Sequence, residues 1–359
     1  MAGPTIHTQD FAMTRLAFTL LLLALPISVW SQDPKTTYAD PNQTDADFAY
    51  QGEYAAPGWG LQVVAGGGGK FDALLHPGGL PGAGWNKAER IKLSGALEGS
   101  AVVLKGDKYS ATVRTNQAEL SDASGRVVAR LTKRVRISPT LGQRPPAGAK
   151  VLFNGSSTEQ FVGAKMTDDH LLRMGPHTKD AVGDFRLHLE FRVPYMPYAR
   201  GQGRANSGVY IQQRYEVQIL DSFGLSGAKN ECGAMYEQRP PEVNMALPPL
   251  AWQTYDIWFR QPRWSADGKE KLKPATITVL HNGVQIHRDY ALTNKTGGGK
   301  PEGPEEFPIA LQDHGNPVVF RNIWLVPGQG VYPPPAPAAT PTSYCVSRRG
   351  PLRRLLSRR

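Results

Sequence analysis

Residues 185 to 193 read FRLHLEFRV, an unbroken alternation that sends Leu187, Leu189, Phe191 and Val193 to one face and Arg186, His188, Glu190 and Arg192 to the other. A period of two marks a strand, because successive side chains leave a pleated backbone on opposite sides. Comparable short runs recur at 208–212, 215–220, 254–260, 275–280, 284–287, 309–312 and 318–326 with no helical period between them. Asn282-Gly283 sits between two of these runs and has the sequence of a two-residue hairpin turn. The 38 glycines and 30 prolines supply many further turns. The expectation is an all-β chain with two packed antiparallel sheets.

The chain divides by composition. Pro139 to Lys150 (PTLGQRPPAGAK) is poor in apolar residues and marks 140–150 as a linker, with a β domain over 151–327 beyond it. Before it, 48–139 holds short apolar runs separated by glycine clusters and reads as a small β-rich domain of hairpins. Gly66 to Gly69 is followed by neither Lys-Ser/Thr nor a helix, so it reads as a hairpin tip and not a phosphate loop. Tyr54, Trp59 and Trp85 read as core aromatics, with a sugar-stacking surface as the alternative. Residues 32–47 are polar and proline-containing, a linker with order beginning near Phe48.

The two ends carry other signals. Met13 to Ser31 joins one arginine to a short apolar run, Pro26 and small residues, the pattern of an export signal ending at residue 31, with Met13 as an alternative start. An uncleaved membrane anchor is the other reading of that run. The net charge is +10, but Pro333 to Arg359 holds six arginines and no acid, and the rest of the chain carries +4. That balance argues against nucleic acid as a partner. The Pro- and Arg-rich tail, 328–359, is expected to be disordered, with weak contact to an anionic cell envelope as its functional reading. Two cysteines, Cys232 and Cys345, do not make a disulfide scaffold.

Three stretches could carry chemistry. Asn206 to Asp221 (NSGVYIQQRYEVQILD) pairs a tight turn with two strands. In the second, Tyr215, Val217 and Ile219 share one face while Glu216 and Gln218 point the other way, roughly 6 to 7 Å apart, a spacing that suits a polyhydroxylated ligand. If 185–193 neighbours 215–220, Glu190 and Glu216 come within cross-strand reach, flanked by His188 and Arg192. Such a carboxylate pair could do acid/base work on a glycosidic bond. The loop Gln312-Asp313-His314 offers a further acid and an imidazole titrating near neutrality, or else a turn whose Asp caps backbone groups. His281, His287, His314 and Asp313 are conceivable metal ligands without tight ligand spacing.

The ordered set Val151-Leu152-Phe153-Asn154-Gly155, Leu189 to Arg192, Asn206 to Tyr210, Tyr215 to Ile219, Gly233 to Tyr236, Trp252 to Tyr255, Asn282-Gly283 and Leu311 to Gly315 resembles the 3-keto-disaccharide hydrolase domain family. The resemblance spans about 151–327. It implies a concanavalin A-like jelly-roll sandwich and action on glycosides oxidised at C3. A C3 ketone acidifies the C2 hydrogen and the C1 leaving group lies β to the resulting carbanion, so a base can drive elimination, with water added afterwards. On this sequence the base is expected to be Glu216 or His314, enolate stabilisation to fall to Arg192 or a divalent ion, and leaving-group protonation to Glu190 or Asp313. Asn206, Tyr210, Gln218, Gln312 and His188 would bind the sugar. Direct hydrolysis by a carboxylate pair is the rival chemistry, and a non-catalytic carbohydrate-binding module is the rival function. Tyr195 to Arg200 and the loop Trp264 to Lys273 look like additions to the family pattern.

Overall fold

The computed structural model describes residues 36–330, together with residues 1 and 33. The stretch expected to be an export signal, Cys345 and the Pro/Arg-rich tail beyond residue 330 lie outside the described residues. The described chain is nearly all β, with 3-10 turns only at Ala46–Ala49 and Gly201–Gly203.

Eight antiparallel strands come first: β1 (Gly52–Ala56), β2 (Gly58–Gly67), β3 (Lys70–Gly78), β4 (Ile91–Glu98), β5 (Ala101–Lys105), β6 (Tyr109–Val113), β7 (Gln117–Asp122) and β8 (Val127–Arg134). Each pairs with the next, and β8 returns to β1 with Glu53 opposite Arg134, so the hairpins close into a barrel with no free edge. Tyr54, Leu61, Val63, Phe71, Leu75, Val102, Leu104 and Leu120 fill it. Tyr54 is fully buried, Trp59 meets Tyr109 edge-on at 5.3 Å, and Trp85 packs against the core of the second half, so all three serve packing. The Gly66 to Gly69 run is the β2–β3 tip, with Gly67, Gly68 and Gly69 at φ +81°, +63° and +72°. On the barrel's outer wall Arg136 Nε and Nη2 donate to both oxygens of buried Glu53, at 2.6 and 2.5 Å.

The second half is a two-sheet sandwich. Its strands are β9 (Lys150–Phe153), β10 (Phe161–Val162), β11 (Leu172–Arg173), β12 (His177–Thr178), β13 (Phe185–Arg192), β14 (Ser207–Ile211), β15 (Tyr215–Ile219), β16 (Trp252–Arg260), β17 (Arg263–Trp264), β18 (Lys271–Lys273), β19 (Thr276–His281), β20 (Val284–Ala291), β21 (Ala310–Leu311) and β22 (Val319–Pro327). One sheet runs β10-β12-β21-β14-β15; the other runs β11-β22-β13-β16-β19-β20, with β9 also on β22. The crossing between sheets is that of a jelly roll. Leu187, Leu189 and Phe191 from one sheet meet Val209, Tyr215, Val217 and Ile219 from the other in a single core. Burying each of these large side chains contributes about 2 kcal/mol. Asn282 and Gly283 both have positive φ, +50° and +76°, as their hairpin turn requires.

Two segments read as linkers are held in place. Order begins before Phe48: Tyr38 exchanges backbone hydrogen bonds with Tyr195, each 2.9 Å, and their rings stack at 5.6 Å. Pro139 to Lys150 lies across the outer face of the larger sheet. Ser138 and Thr140 hydroxyls meet Thr254 Oγ1 at 2.6 and 2.8 Å, and Gln143 O accepts from Asn322 and Trp324. Proline and glycine there shape a fitted strap; composition signals a chain without helix or strand, and that need not be a loose one.

Candidate active site

β14 and β15 pair so that Tyr210 stands opposite Glu216 and Gly208 opposite Gln218. Because Val209 and Val217 point into the core, these four face outward on the smaller sheet. Ala310 is registered beside Tyr210 on the neighbouring strand, and Gln312 N–H donates to Gly208 O at 2.8 Å, which brings Gln312 alongside. Asn206, Tyr210, Glu216, Gln218 and Gln312, all expected at the site, are therefore together.

Glu216 is 2 % exposed although it faces outward. Its carboxylate lies over Gly208, where a Cβ would collide with Oε1. Burial pushes its carboxyl up to about 7, against a smaller downward pull from the Tyr210 hydroxyl that hydrogen-bonds it. Tyr236 flanks it: its phenol feels the Glu216 charge, and its backbone N–H donates to Glu216 O at 3.1 Å. Thr296 Oγ1 accepts from Glu216 N–H at 3.0 Å and pins the backbone. A buried carboxyl poised near neutrality and hydrogen-bonded by a phenol is equipped for proton transfer. Gly208→Ala is expected to lower turnover about 100-fold by displacing the Glu216 carboxylate, with KM little changed; steady-state kinetics on the folded variant checks it.

Beside Glu216 lies a cluster of amides. Gln202 Oε1 accepts from Asn206 Nδ2 at 3.1 Å and from Gln218 Nε2 at 3.0 Å, while Gln202 Nε2 donates to Asn230 O at 2.8 Å. Tyr236 and Gln202 had no assigned role from sequence. Tyr236 stands in the Gly233 to Tyr236 stretch that contributes to the family resemblance, whereas nothing local marks Gln202.

Three expected site residues lie elsewhere. β13 pairs with β16 and β22, not with β15, so Glu190 stands opposite Thr254 and Arg321. Its side chain leaves the outer face of the other sheet, and Glu190 and Glu216 are separated by the sandwich, more than about 10 Å thick. The carboxylate pair does not form, and direct hydrolysis by it is unavailable. Glu190 instead accepts from Gly142 N (2.5 Å), Arg321 Nε (2.7 Å) and Asn322 Nδ2 (2.9 Å). Burial would raise its carboxyl, but hydrogen bonds from His188, Asn322, Gly142 and Arg321 hold it down to about 2. That value suits a fixed anion and not a proton donor. His188 bonds Asp256 at 2.9 Å and stacks on Trp324 at 5.0 Å. Burial works against its charge, yet Asp256 and Glu190 raise its pKa. Arg192 lies over Trp252, 5.1 Å from the ring centroid, and lines a cavity of about 320 Å³ with Asp40 and Asp169. It cannot reach an enolate on the Glu216 face. Sequence periodicity gave the alternation of this strand correctly and could not say what covers its polar side.

Asp313 and His314 are exposed in the loop after Gln312. Asp313 Oδ1 accepts from Gly315 N at 2.8 Å, so the carboxylate caps its own turn. Buried His281 and His287 bond Gln253 Oε1 (2.9 Å) and Gly233 O (2.7 Å), and burial lowers their pKa values to about 3 and about 4. Among the described residues no group of three or more His, Cys, Asp or Glu side chains is arranged to hold a metal ion.

Residues 148–326 match the 3-keto-alpha-glucoside-1,2-lyase-like domain. The chain belongs to that family. Membership gives it a glycoside-processing role, and the match contains every residue of the Glu216 cluster. Among solved structures, a candidate glycosyl hydrolase from Parabacteroides distasonis is 30 % identical, with 50 % of this chain and 84 % of that one covered and a TM-score of 0.45. A second from the same organism is 24 % identical over 49 % of this chain and 98 % of that one, with a TM-score of 0.36. No curated protein matches the chain.

Proposed function

We propose that the Glu216 face cleaves 3-keto-glycosides by elimination, with Glu216 as the base. The observation that carries this reading is the buried Glu216 carboxyl, raised to about 7 beside the Tyr210 hydroxyl. In this reaction the carboxylate takes the C2 proton and the C2–H electron pair forms the C2–C3 enolate, moving charge onto the C3 oxygen. The enolate then re-forms the ketone, makes the C1–C2 double bond and expels the C1 oxygen, which leaves with a proton. Phenols are suited to both remaining tasks: one donates a hydrogen bond to the enolate oxygen, the other protonates the leaving group. Tyr210 and Tyr236 are the two beside Glu216, and they take the roles that the sequence offered to Arg192 or a divalent ion and to Glu190 or Asp313. Water then adds to the unsaturated ketone to give the free 3-keto sugar.

In deuterium oxide the reaction should place deuterium at C2 of unreacted or hydrated sugar, and C2-deuterated substrate should turn over about two- to fivefold more slowly where proton abstraction limits the rate. Loss of the glycoside without any C2 exchange or isotope effect would favour direct hydrolysis. The amide cluster also suits a carbohydrate-binding module, which would bind sugar with no turnover. We further propose that the protein acts after export. The apolar run of residues 13–31 supports that, and periplasmic or secreted chain lacking 1–31 is the outcome to seek by N-terminal sequencing. No described helix is long and apolar enough to cross a membrane.

A further inference from the structure

Residues 195–206 run from the barrel side to the Glu216 face, and the two halves of this stretch do different things. The first half is fixed to the barrel side. Tyr195 is fully buried, 5.0 Å from the Phe48 ring, and its hydroxyl donates to Asp45 Oδ1 at 3.1 Å. The Tyr198 ring fills the space that a Cβ on Gly67 would take, so only glycine at the β2–β3 tip admits it. Arg200 Nη2 donates to Gly66 O at 2.9 Å, while Nη1 holds Pro197 O and Ala199 O at 2.5 and 2.8 Å.

The second half enters the site. The 3-10 turn Gly201–Gly203 closes through Gly203 N to Arg200 O at 3.2 Å and Arg204 N to Gly201 O at 3.1 Å. It follows directly on Arg200 and carries Gln202 over Asn206 and Gln218, which are 2 % and 1 % exposed beneath it. Gln202 O also accepts from Asn206 Nδ2, at 2.9 Å. Beyond the turn, Arg204 Nε donates to Asp221 Oδ2 at 2.7 Å and ties the stretch to the far end of β15. Gln202 itself is half-exposed, and with one N–H on Asn230 O it keeps a second for a ligand oxygen.

We infer that Gln202 is a substrate-positioning residue of the Glu216 site and that the barrel is its mount. This rests on the reading of Glu216 as the base and adds a use for the barrel: the hairpin tip fixes Arg200 and Tyr198, these fix the turn, and the turn sets the amide that meets a sugar oxygen. Affinity for the sugar therefore depends on a contact made by a different part of the fold. The proton-transfer step does not, because Glu216 is set by Tyr210, Gly208 and Thr296.

Steady-state kinetics of the full chain on a 3-keto-glucoside tests it. Arg200→Ala should raise KM about tenfold, the effect of one misplaced hydrogen bond, and leave kcat and the pH midpoint near their wild-type values. Arg200→Lys should restore part of the loss. Gln202→Leu should raise KM by a similar factor and add little when combined with Arg200→Ala, since both remove the same contact. Tyr198→Ala, which empties the seat on Gly67, repeats the test should Arg200→Ala not fold. A wild-type KM in the folded Arg200→Ala or Tyr198→Ala variant, or fully additive effects with Gln202→Leu, overturns the inference. Glu216→Gln in the same series separates the two levels. If it is inactive while Arg200→Ala keeps its KM, only the barrel's role falls; if it retains turnover, the Glu216 reading falls and this inference with it.

Discussion

Replacing Glu216 with Gln should lower turnover of a 3-keto-glucoside at least about 1,000-fold and make the protein more stable at pH 8. The two effects share one cause. In the unfolded chain this carboxyl ionises near its ordinary 4.5, whereas burial in the fold delays ionisation to about 7. Between those pH values the unfolded form has released a proton that the fold keeps, so stability falls as pH rises across that window. The loss amounts to about 3 kcal/mol once both states are ionised. A neutral isostere removes it. Urea melts should show Glu216→Gln gaining on wild type from pH 5 to pH 8, with little difference at pH 4. A carboxylate kept buried at this cost to the fold is the mark of a functional group. Equal stability at pH 8 with unchanged activity would mean that Glu216 is neither buried as an anion nor the base.

Glu190→Gln should behave in the opposite way, destabilising by about 3 kcal/mol while turnover persists. Its carboxylate balances Arg321 and His188 and receives the Gly142 N–H of the strap. Removing the charge leaves buried His188 and half-exposed Arg321 without their shared counter-charge. With a folded value of about 2 against an ordinary 4.5, the stability that Glu190 contributes is present above about pH 4.5 and is lost as pH falls toward 2. Acid denaturation of wild type should therefore be steeper than that of Glu190→Gln in that window. Loss of activity in a Glu190→Gln variant whose melt matches wild type would reinstate Glu190 as a catalytic group.

The contrast between these carboxylates also marks what sequence can and cannot tell. Both sit on strands with clean alternation, and the alternation assigned their faces correctly, because period two fixes which side a residue takes. It does not say which strand lies alongside. Glu190 and Glu216 fell on different sheets because β13 pairs with β16 and β22, contacts 60 or more residues away in the chain. Nor does a polar outer face reveal its cover: the strap over Glu190 and His188 came from a stretch whose prolines and glycines signal only irregular backbone. The sandwich and the Glu216 face were legible because family-like motifs sit on adjacent strands there. Barrel closure was not, since the β1–β8 pairing leaves no local trace in either strand. The Tyr195 to Arg200 stretch, which looked like an addition bearing on substrate size, is the seat between barrel and sandwich.

The central claim is a single base on the Glu216 face acting on oxidised sugar. The measurement that tests it most directly is kcat/KM for a 3-keto-glucoside beside the unoxidised glucoside, from pH 5 to 9. The account predicts turnover of the keto substrate alone, rising with unit slope to a plateau with its midpoint near pH 7, where Glu216 ionises. Equal turnover of both glucosides, or sugar binding with no turnover at any pH, would contradict it.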